Sequence, residues 1–467
     1  MNNLLKFIRI VLKLRKIILL PLLVIAMGSL VVTTNADAVP SFARQTGMAC
    51  AACHTMFPEL TPFGRSFKMS GYVIANLKTV RDILANKQDI LELDEIPPLS
   101  FMFQTSYTKT NKAIPDSAVS GAFAQNGNVL FPQQASLFYA GRIARQLGAF
   151  IQFTYSTPDD HFSWDNTVFR YANDMSDNER GLVWGVTLNN NPTVQDIWNS
   201  TPAWGFPWVA SSVAPSPAAA TMLDGTLAQQ VAGLSAFLFW NNAIYGEVGV
   251  YRSAQVNSTQ PPDSTTSNTI HNAAPYWRFA WQHQWDRNSL EIGTVGMHTD
   301  IFPGGGTPLA GATNTFTDLG LDSQFQFIGD KHIFSVLALY IYERQNLDAS
   351  FAAGGSANSS NNLQTLKLTA NYYYNRRYGI SVGYFSTTGS ADALLYPSNT
   401  AVAGSASHNP DSHGWIGELD YVPWLNVKVS LQYKLYTKFN GGDSNYDGFG
   451  RDASDNNTLY ISVAFNF

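Results

Sequence analysis

From about residue 97 onward the chain alternates apolar and polar residues with a period of two, the spacing that sends neighbouring side chains to opposite faces of a strand. In 427–436, Val427, Val429, Leu431, Tyr433 and Leu435 share one face, and Lys428, Ser430, Gln432 and Lys434 share the other. In 365–374, Leu366, Leu368, Ala370, Tyr372 and Tyr374 oppose Thr365, Lys367, Thr369, Asn371 and Tyr373. The last nine residues set Leu459, Ile461, Val463, Phe465 and Phe467 on one side. One face suits lipid and the other water, as in the strands of a membrane barrel.

Sixteen such runs are predicted, centred near residues 103, 139, 151, 166, 184, 235, 248, 280, 294, 322, 338, 369, 382, 418, 431 and 462. After even-numbered runs the connections are mostly tight: A-R-Q-L, N-N-A, D-R-N, G-D-K, N-R-R and P-W-L. After most odd-numbered runs they are long and rich in Gly, Ser, Asn and Pro, as in 188–228, 253–274, 346–363, 386–413 and 437–457. Short turns on one side and long loops on the other describe an outer-membrane barrel, and an even strand count leaves both barrel ends on the short-turn, periplasmic side. A soluble sandwich or propeller would space its strands every 8 to 12 residues; these runs recur about every 23 residues, which fits up-and-down hairpins. Trp240, Tyr251, Trp281, Trp285, Tyr374, Tyr384 and Trp415, at run ends, suit the two interfacial girdles.

The upstream part reads differently. Lys6, Arg9, Lys13, Arg15 and Lys16 precede an apolar run from Ile17 to Val32, and Ala36-Asp37-Ala38 supplies small residues for cleavage, so 1–38 is predicted to be a secretory signal. Between 39 and 96 the pattern is of short helical stretches, ending in T-V-R-D-I-L-A-N-K-Q-D-I-L-E-L. The domain reading is thus signal 1–38, a small helical unit 39–96 and a barrel 97–467.

Composition narrows the class. Charged residues are 13% and aromatics 13% of 467 residues, with a net charge of -5, which excludes a disordered chain and a strongly basic nucleic-acid binder. Mean hydropathy of -0.09 excludes a polytopic helical membrane protein, but not a barrel whose strands alternate.

The only cysteines are Cys50 and Cys53, followed by His54, spelling C-A-A-C-H. Two thiols one helical turn apart can add to two haem vinyl groups, and the adjacent imidazole then binds iron. A single covalent haem c on Cys50 and Cys53, with His54 as proximal ligand, is therefore expected. A thioredoxin-type dithiol would need a βαβ context that the flanks do not supply. A structural zinc site would need four ligands, and only one histidine occurs before residue 161.

The sixth iron ligand is open. Met56 and Met48 lie too near the attachment site in sequence to reach the other face easily. Met69 has ample contour length and sits on a predicted short helix capped by Thr61, opened by Pro62 and ended by Gly71. It could equally pack beside Phe63 and Phe67; a histidine from the rest of the chain, or an open site, is a further alternative.

Three secondary features complete the reading. Asp443, Asn445, Asp447 and Gly448 match the first half of a calcium loop, a candidate Ca or Fe(II) site, although Ser454 stands where its final glutamate belongs. Trp198, Trp204, Phe206 and Trp208, among Pro192, Pro202 and Pro207, suggest either a constriction folded inward near the haem or, the reading preferred, a cap over the barrel mouth. Arg142, Glu247, Glu418, Asp420, Lys428 and Lys434 are expected to face the lumen, since charge on the lipid face is costly.

A sixteen-stranded barrel has a lumen wide enough for a small plug, so the architecture expected is mainly β, an outer-membrane barrel with an α-helical c-type cytochrome plug entering from the periplasm. The stretch V-P-S-F-A-R-Q-T-G-M-A-C-A-A-C-H-T-M-F-P-E-L-T-P-F-G-R-S-F-K-M-S-G-Y, Val39 to Tyr72, resembles the haem segment of the fused monohaem cytochrome c-porin iron(II) oxidases in outer membranes of Fe(II)-oxidising bacteria. N-N-N-P-T-V-Q-D-I-W-N-S-T-P-A-W-G-F-P, Asn189 to Pro207, is similar to a loop of that family. The resemblance implies a conduit that takes electrons from extracellular Fe(II) and passes them to periplasmic c-type cytochromes. Cys50, Cys53 and His54 carry over; the distal ligand does not. Ferric iron precipitates near neutral pH, so moving only the electron leaves the solid outside. Electron export to extracellular acceptors, and a solute porin with a haem-bearing gate, are the alternatives. No Ser/His/Asp constellation, phosphate loop or dinucleotide fingerprint appears.

Overall fold

The computed structural model describes residues 41–73, 97–115, 126–176, 181–254, 259–260, 264–265, 268–303 and 311–467. The expected signal over 1–38 and the helical stretch from Thr79 to Leu93 lie outside them.

Sixteen strands form one closed ring: β1 Leu99–Thr110, β2 Asn128–Ala144, β3 Leu147–Ser156, β4 His161–Asp174, β5 Leu182–Asn189, β6 Val231–Trp240, β7 Ile244–Ser253, β8 Ala274–Trp285, β9 Asn288–Ile301, β10 Asn314–Ile328, β11 His332–Asn346, β12 Ser360–Tyr374, β13 Tyr378–Gly389, β14 Ser412–Trp424, β15 Val427–Lys438 and β16 Thr458–Asn466. Neighbours are antiparallel, and β1 closes the ring by pairing with both β2 and β16, so that Tyr107 lies between Val129 and Ile461. All sixteen expected run centres fall inside these strands. Closure leaves no edge, so every strand's backbone groups find partners within the wall.

The alternation resolves as the pattern requires. On β12 and β15, Leu368, Tyr372, Tyr374, Leu431 and Tyr433 face outward and are exposed, while Thr365, Thr369, Asn371, Ser430 and Gln432 face inward and are buried. The outward apolar surface suits hydrocarbon. Trp240, Trp281, Trp285, Tyr374 and Trp415 lie on it. Tyr251 does not. It is 1% exposed and shares the inward face of β7 with Tyr245 and Glu247, its hydroxyl donating to Asn189 Oδ1 at 3.0 Å. The girdle expectation is corrected there because its parity along the strand, not its place near the strand end, decides the face.

Seven short connections lie at one end and eight loops at the other, with Leu99 and Phe467 both at the short end, where Phe101 and Phe467 exchange backbone hydrogen bonds. Asn241-Asn242 and Asn375-Arg376 both take positive φ, 49° and 52°, then 51° and 55°, the left-handed conformation that tight hairpins demand and asparagine tolerates.

Residues 41–73 form a small unit lodged within the short-turn end. Its helices are α1 Ser41–Thr46, α2 Cys50–Cys53 and α3 Pro62–Met69. α3 begins and ends on the expected residues. Thr61 Oγ1 accepts the Gly64 amide at 3.1 Å, Pro62 takes the first helical position, and Gly71 sits at φ 71°. The Gly71 amide donates to Lys68 O and the Tyr72 amide to Phe67 O, a Schellman closure whose ring contact is Phe67 against Tyr72.

The loop from Asn190 to Gln230 corrects the preferred cap reading. Its first part folds down into the lumen, where Trp198 is fully buried, donates from Nε1 to Gln282 at 3.0 Å, and packs edge-on to Tyr245. The tryptophan seeks the inside because a large ring with one donor gains both burial and a partner there. Further along, Gln432 donates to Val209 O, and the Met222 and Leu223 amides donate to Glu343 and Asp318.

Candidate cofactor site in the barrel lumen

The plug is pinned to the wall by polar contacts made almost entirely near the turn end. Ser41 Oγ and Gln45 Nε2 donate to Ala140 O at 2.9 and 2.7 Å, Arg44 donates to Leu99 O, and Arg376 donates to Ala51 O at 2.6 Å. Arg65 reaches Gln326 Oε1 at 2.7 Å, Gln324 Oε1 at 3.2 Å and Ser289 Oγ at 3.1 Å. Burial lowers its pKa to about 10, still cationic at neutral pH.

Cys50 and Cys53 bracket the single turn of α2, and the His54 amide donates to Cys50 O at 2.9 Å, so both thiols and the imidazole leave one short rigid turn. Gly64 lets α3 press on this turn: a Cβ at that position would stand 2.1 Å from Cys53 O. His54 Nδ1 lies 3.2 Å from Glu59 O. A carbonyl only accepts, so Nδ1 carries the proton and Nε2 keeps its lone pair. Burial lowers this imidazole to a pKa of about 4, leaving it neutral. Around the turn, Met48, Phe57 and Phe63 are exposed apolar side chains, and the Phe57 ring lies 5.5 Å from that of His54. Two partly exposed thiols, a neutral imidazole whose lone pair is on Nε2, and an uncovered apolar surface are features that covalent haem requires, so the residues fit that group.

Met69 is buried with Ala172, Val183, Trp198, Phe237 and Ala280 against the wall, whereas Cys53 packs against the cluster of Phe67, Tyr72, Val168 and Val194. Met69 and Cys53 thus pack in different apolar clusters. Met56 packs against Ile333, Tyr373 and Val422. Asp443, Asn445 and Asp447 are not gathered either. Asp447 accepts the amides of Val402, Phe449 and Arg451, Asn445 Oδ1 accepts the Gly450 amide, and Asp443 Oδ1 accepts that of Ser444. Among the described residues no group of three or more His, Cys, Asp or Glu side chains could hold a metal ion.

The expected inward charges do face the lumen: Glu247, Glu418, Asp420 and Arg142 are buried, and Lys428 bridges Glu418 and Asp420 at 3.2 Å each. Lys434 lies over the rings of Phe385 and Tyr436.

Several groups that matter were not singled out from the sequence. Lys68 donates to Val194 O at 2.9 Å, Asp196 O at 2.5 Å and Asn199 Oδ1 at 2.9 Å, and Asn199 donates back to Pro58 O at 2.8 Å. Burial pulls the Lys68 ammonium down to a pKa of about 7, against the pull of Asp196. Arg278 holds Asp322 at 2.5 Å, Glu291 at 3.0 Å and Asp196 at 3.5 Å, while Ser200 Oγ donates to Asp322 at 2.5 Å. The signal available was modest: Arg65 and Lys68 lie three apart on a helix of only eight residues, one basic stripe with no acidic neighbour.

No family model and no curated protein matches this chain. Among solved structures, the barrel is similar to the outer-membrane channel DcaP of Acinetobacter baumannii, at 12% identity over 79% of this chain and 96% of that one, TM-score 0.44. It is similar to OmpT of Vibrio cholerae at 11% identity over 82% and 99%, TM-score 0.43. It is also similar to an anion-selective porin from Comamonas acidovorans at 11% identity over 79% and 98%, TM-score 0.43.

Proposed function

We propose that this protein is an outer-membrane electron conduit of the fused cytochrome c-porin type, which oxidises extracellular Fe(II) at a single c-type haem and passes the electron to a periplasmic c-type cytochrome. The observation carrying this reading is that the C-A-A-C-H turn is tied to the short-turn end of a closed, lipid-suited barrel, with the His54 Nδ1 proton directed at Glu59 O and the lone pair left on Nε2. When bound, haem c would supply reversible one-electron iron chemistry. Cys50 and Cys53 would hold it by thioethers and His54 would be the proximal ligand. Met69, packed in a wall cluster, would be the candidate distal ligand. The short-turn end is assigned to the periplasm by the rule that barrels carry short periplasmic turns. The chain's own contribution is to fix the imidazole and to fill the lumen with the plug and the inward loop, so that charge crosses where solutes do not. Each Fe(II) gives up one electron and becomes Fe(III), and one acceptor haem is reduced; no proton need cross.

Purified protein in liposomes tests this. External Fe(II) should reduce the c-type absorption bands and then an enclosed cytochrome. Reduction of the bands by an enclosed reductant, followed by discharge to an external acceptor without any response to Fe(II), would instead support export. Rapid uptake of small sugars through the intact protein would support a gated porin. Protein purified from native membranes without covalent haem would end the cytochrome reading.

A further inference from the structure

We propose that the barrel wall tunes the proximal ligand through Glu59, with Ser335 and Asn371 acting as positioning residues; this rests on the reading of His54 as the haem ligand. Glu59 is 1% exposed, and its carboxylate is held at both oxygens. Ser335 Oγ lies 2.8 Å from each, Asn371 Nδ2 donates to Oε1 at 2.6 Å, and Thr55 Oγ1 donates to Oε2 at 3.0 Å. Ser335 and Asn371 are directly opposed on β11 and β12, and Asn371 Nδ2 also donates to Ser335 Oγ at 3.2 Å, so the clamp is a cross-strand unit of the wall itself.

The next carbonyl along is anchored as well: Gln326, on β10, donates to Leu60 O at 3.1 Å. With the Glu59 side chain and the following carbonyl both tied to the wall, the Glu59 carbonyl cannot swing away. That carbonyl accepts from His54 Nδ1 at 3.2 Å and from the Thr55 amide at 3.2 Å, inside a loop closed by the bridge between His54 and Leu60.

The consequence is electronic. A hydrogen bond at Nδ1 makes the imidazole a stronger donor at Nε2, and such outer-shell partners shift the properties of a bound metal. A stronger donor favours the ferric over the ferrous state. The strands would therefore hold the reduction potential lower than a loosely held His54 would allow.

The test uses the full-length, haem-loaded protein. Ser335→Ala and the double variant Ser335→Ala/Asn371→Leu should retain one covalent haem per chain, measured from the alkaline pyridine spectrum. Their midpoint potentials in a spectroelectrochemical titration should rise, the single variant by less. Ser335→Thr, which keeps the hydroxyl, should restore the native value. A haem-loaded single variant with an unchanged midpoint would overturn the clamp while leaving the proposed function standing. A native protein lacking covalent haem would overturn the function and the clamp together.

Discussion

Lys68 Nζ lies 2.5 Å from the backbone oxygen of Asp196, joining the plug to the inward loop across 128 positions of sequence. The same ammonium holds Val194 O and Asn199 Oδ1, so one buried cation organises three acceptors. Lys68→Met keeps the stem and removes the donors, leaving carbonyls without that partner. Burial already disfavours the ammonium, so the expected loss of plug anchoring is about 1–3 kcal/mol. Limited proteolysis of the native protein should then release the N-terminal segment faster; unchanged cleavage would refute the anchor.

Gly64 is the contact between α3 and the cysteine turn. A Cβ there would meet Cys53 O at 2.1 Å, and the atoms it would meet are all backbone, so relief requires one helix to move. Gly64→Ala should destabilise the segment by about 1–3 kcal/mol, as overpacking does, and should lower the haem stain relative to protein on denaturing gels. A full complement of haem in this variant would show that the turn can shift freely.

Arg278 is fully buried beside Asp196, Asp322 and Glu291. Arg278→Met removes the cation paired with all three carboxylates and leaves them facing one another, at an expected cost of about 3–5 kcal/mol. The loop around Trp198 should detach from the wall, and single-channel conductance in planar bilayers should appear or rise. A silent bilayer and an unaltered melting transition would count against the role of this ion cluster.

Acid should release a different loop contact. Although burial opposes it, hydrogen bonds from Ser356 Oγ, the Ala357 and Leu395 amides and Asn361 hold the Asp392 carboxyl well below the usual carboxylate range. A depressed folded pKa contributes stability above the ordinary value of 3.8, and that stability is lost as pH falls through the lower folded value. The Ala357 and Leu395 amides should therefore stay protected from hydrogen exchange at pH 4, after correction for intrinsic rates, and lose protection only in stronger acid. Loss of protection already at pH 5 would contradict the sign.

The wall was legible because lipid on one side and polar lumen on the other impose a period of two on every strand, and that period survives variation in individual residues. The helix caps at Thr61, Pro62 and Gly71 were legible for a similar reason, since each satisfies a local backbone need. Tyr251 misled because an aromatic near a strand end looks like a girdle residue until its parity with Glu247 is counted. The sequence offered the inward course of the loop but could not favour it over a cap: what draws Asp196, Trp198 and Ser200 into the lumen is Arg278, Gln282 and Asp322, residues about 80 to 122 positions away. Glu59 was equally silent, as its partners Ser335 and Asn371 meet it only once the barrel has closed.

The two obstructions differ in how they are tied. Among the described residues the plug is followed in sequence by strands of the wall and preceded by none, whereas the inward loop is continuous with β5 on one side and β6 on the other. Tension on the amino end would draw the plug out first, releasing about 110 Å of extended polypeptide from residues 41–73 alone, while the loop has no such exit. One behaves as a stopper on a string and the other as a strap riveted twice, so under mechanical load they would yield in sequence, and the strap would outlast the stopper.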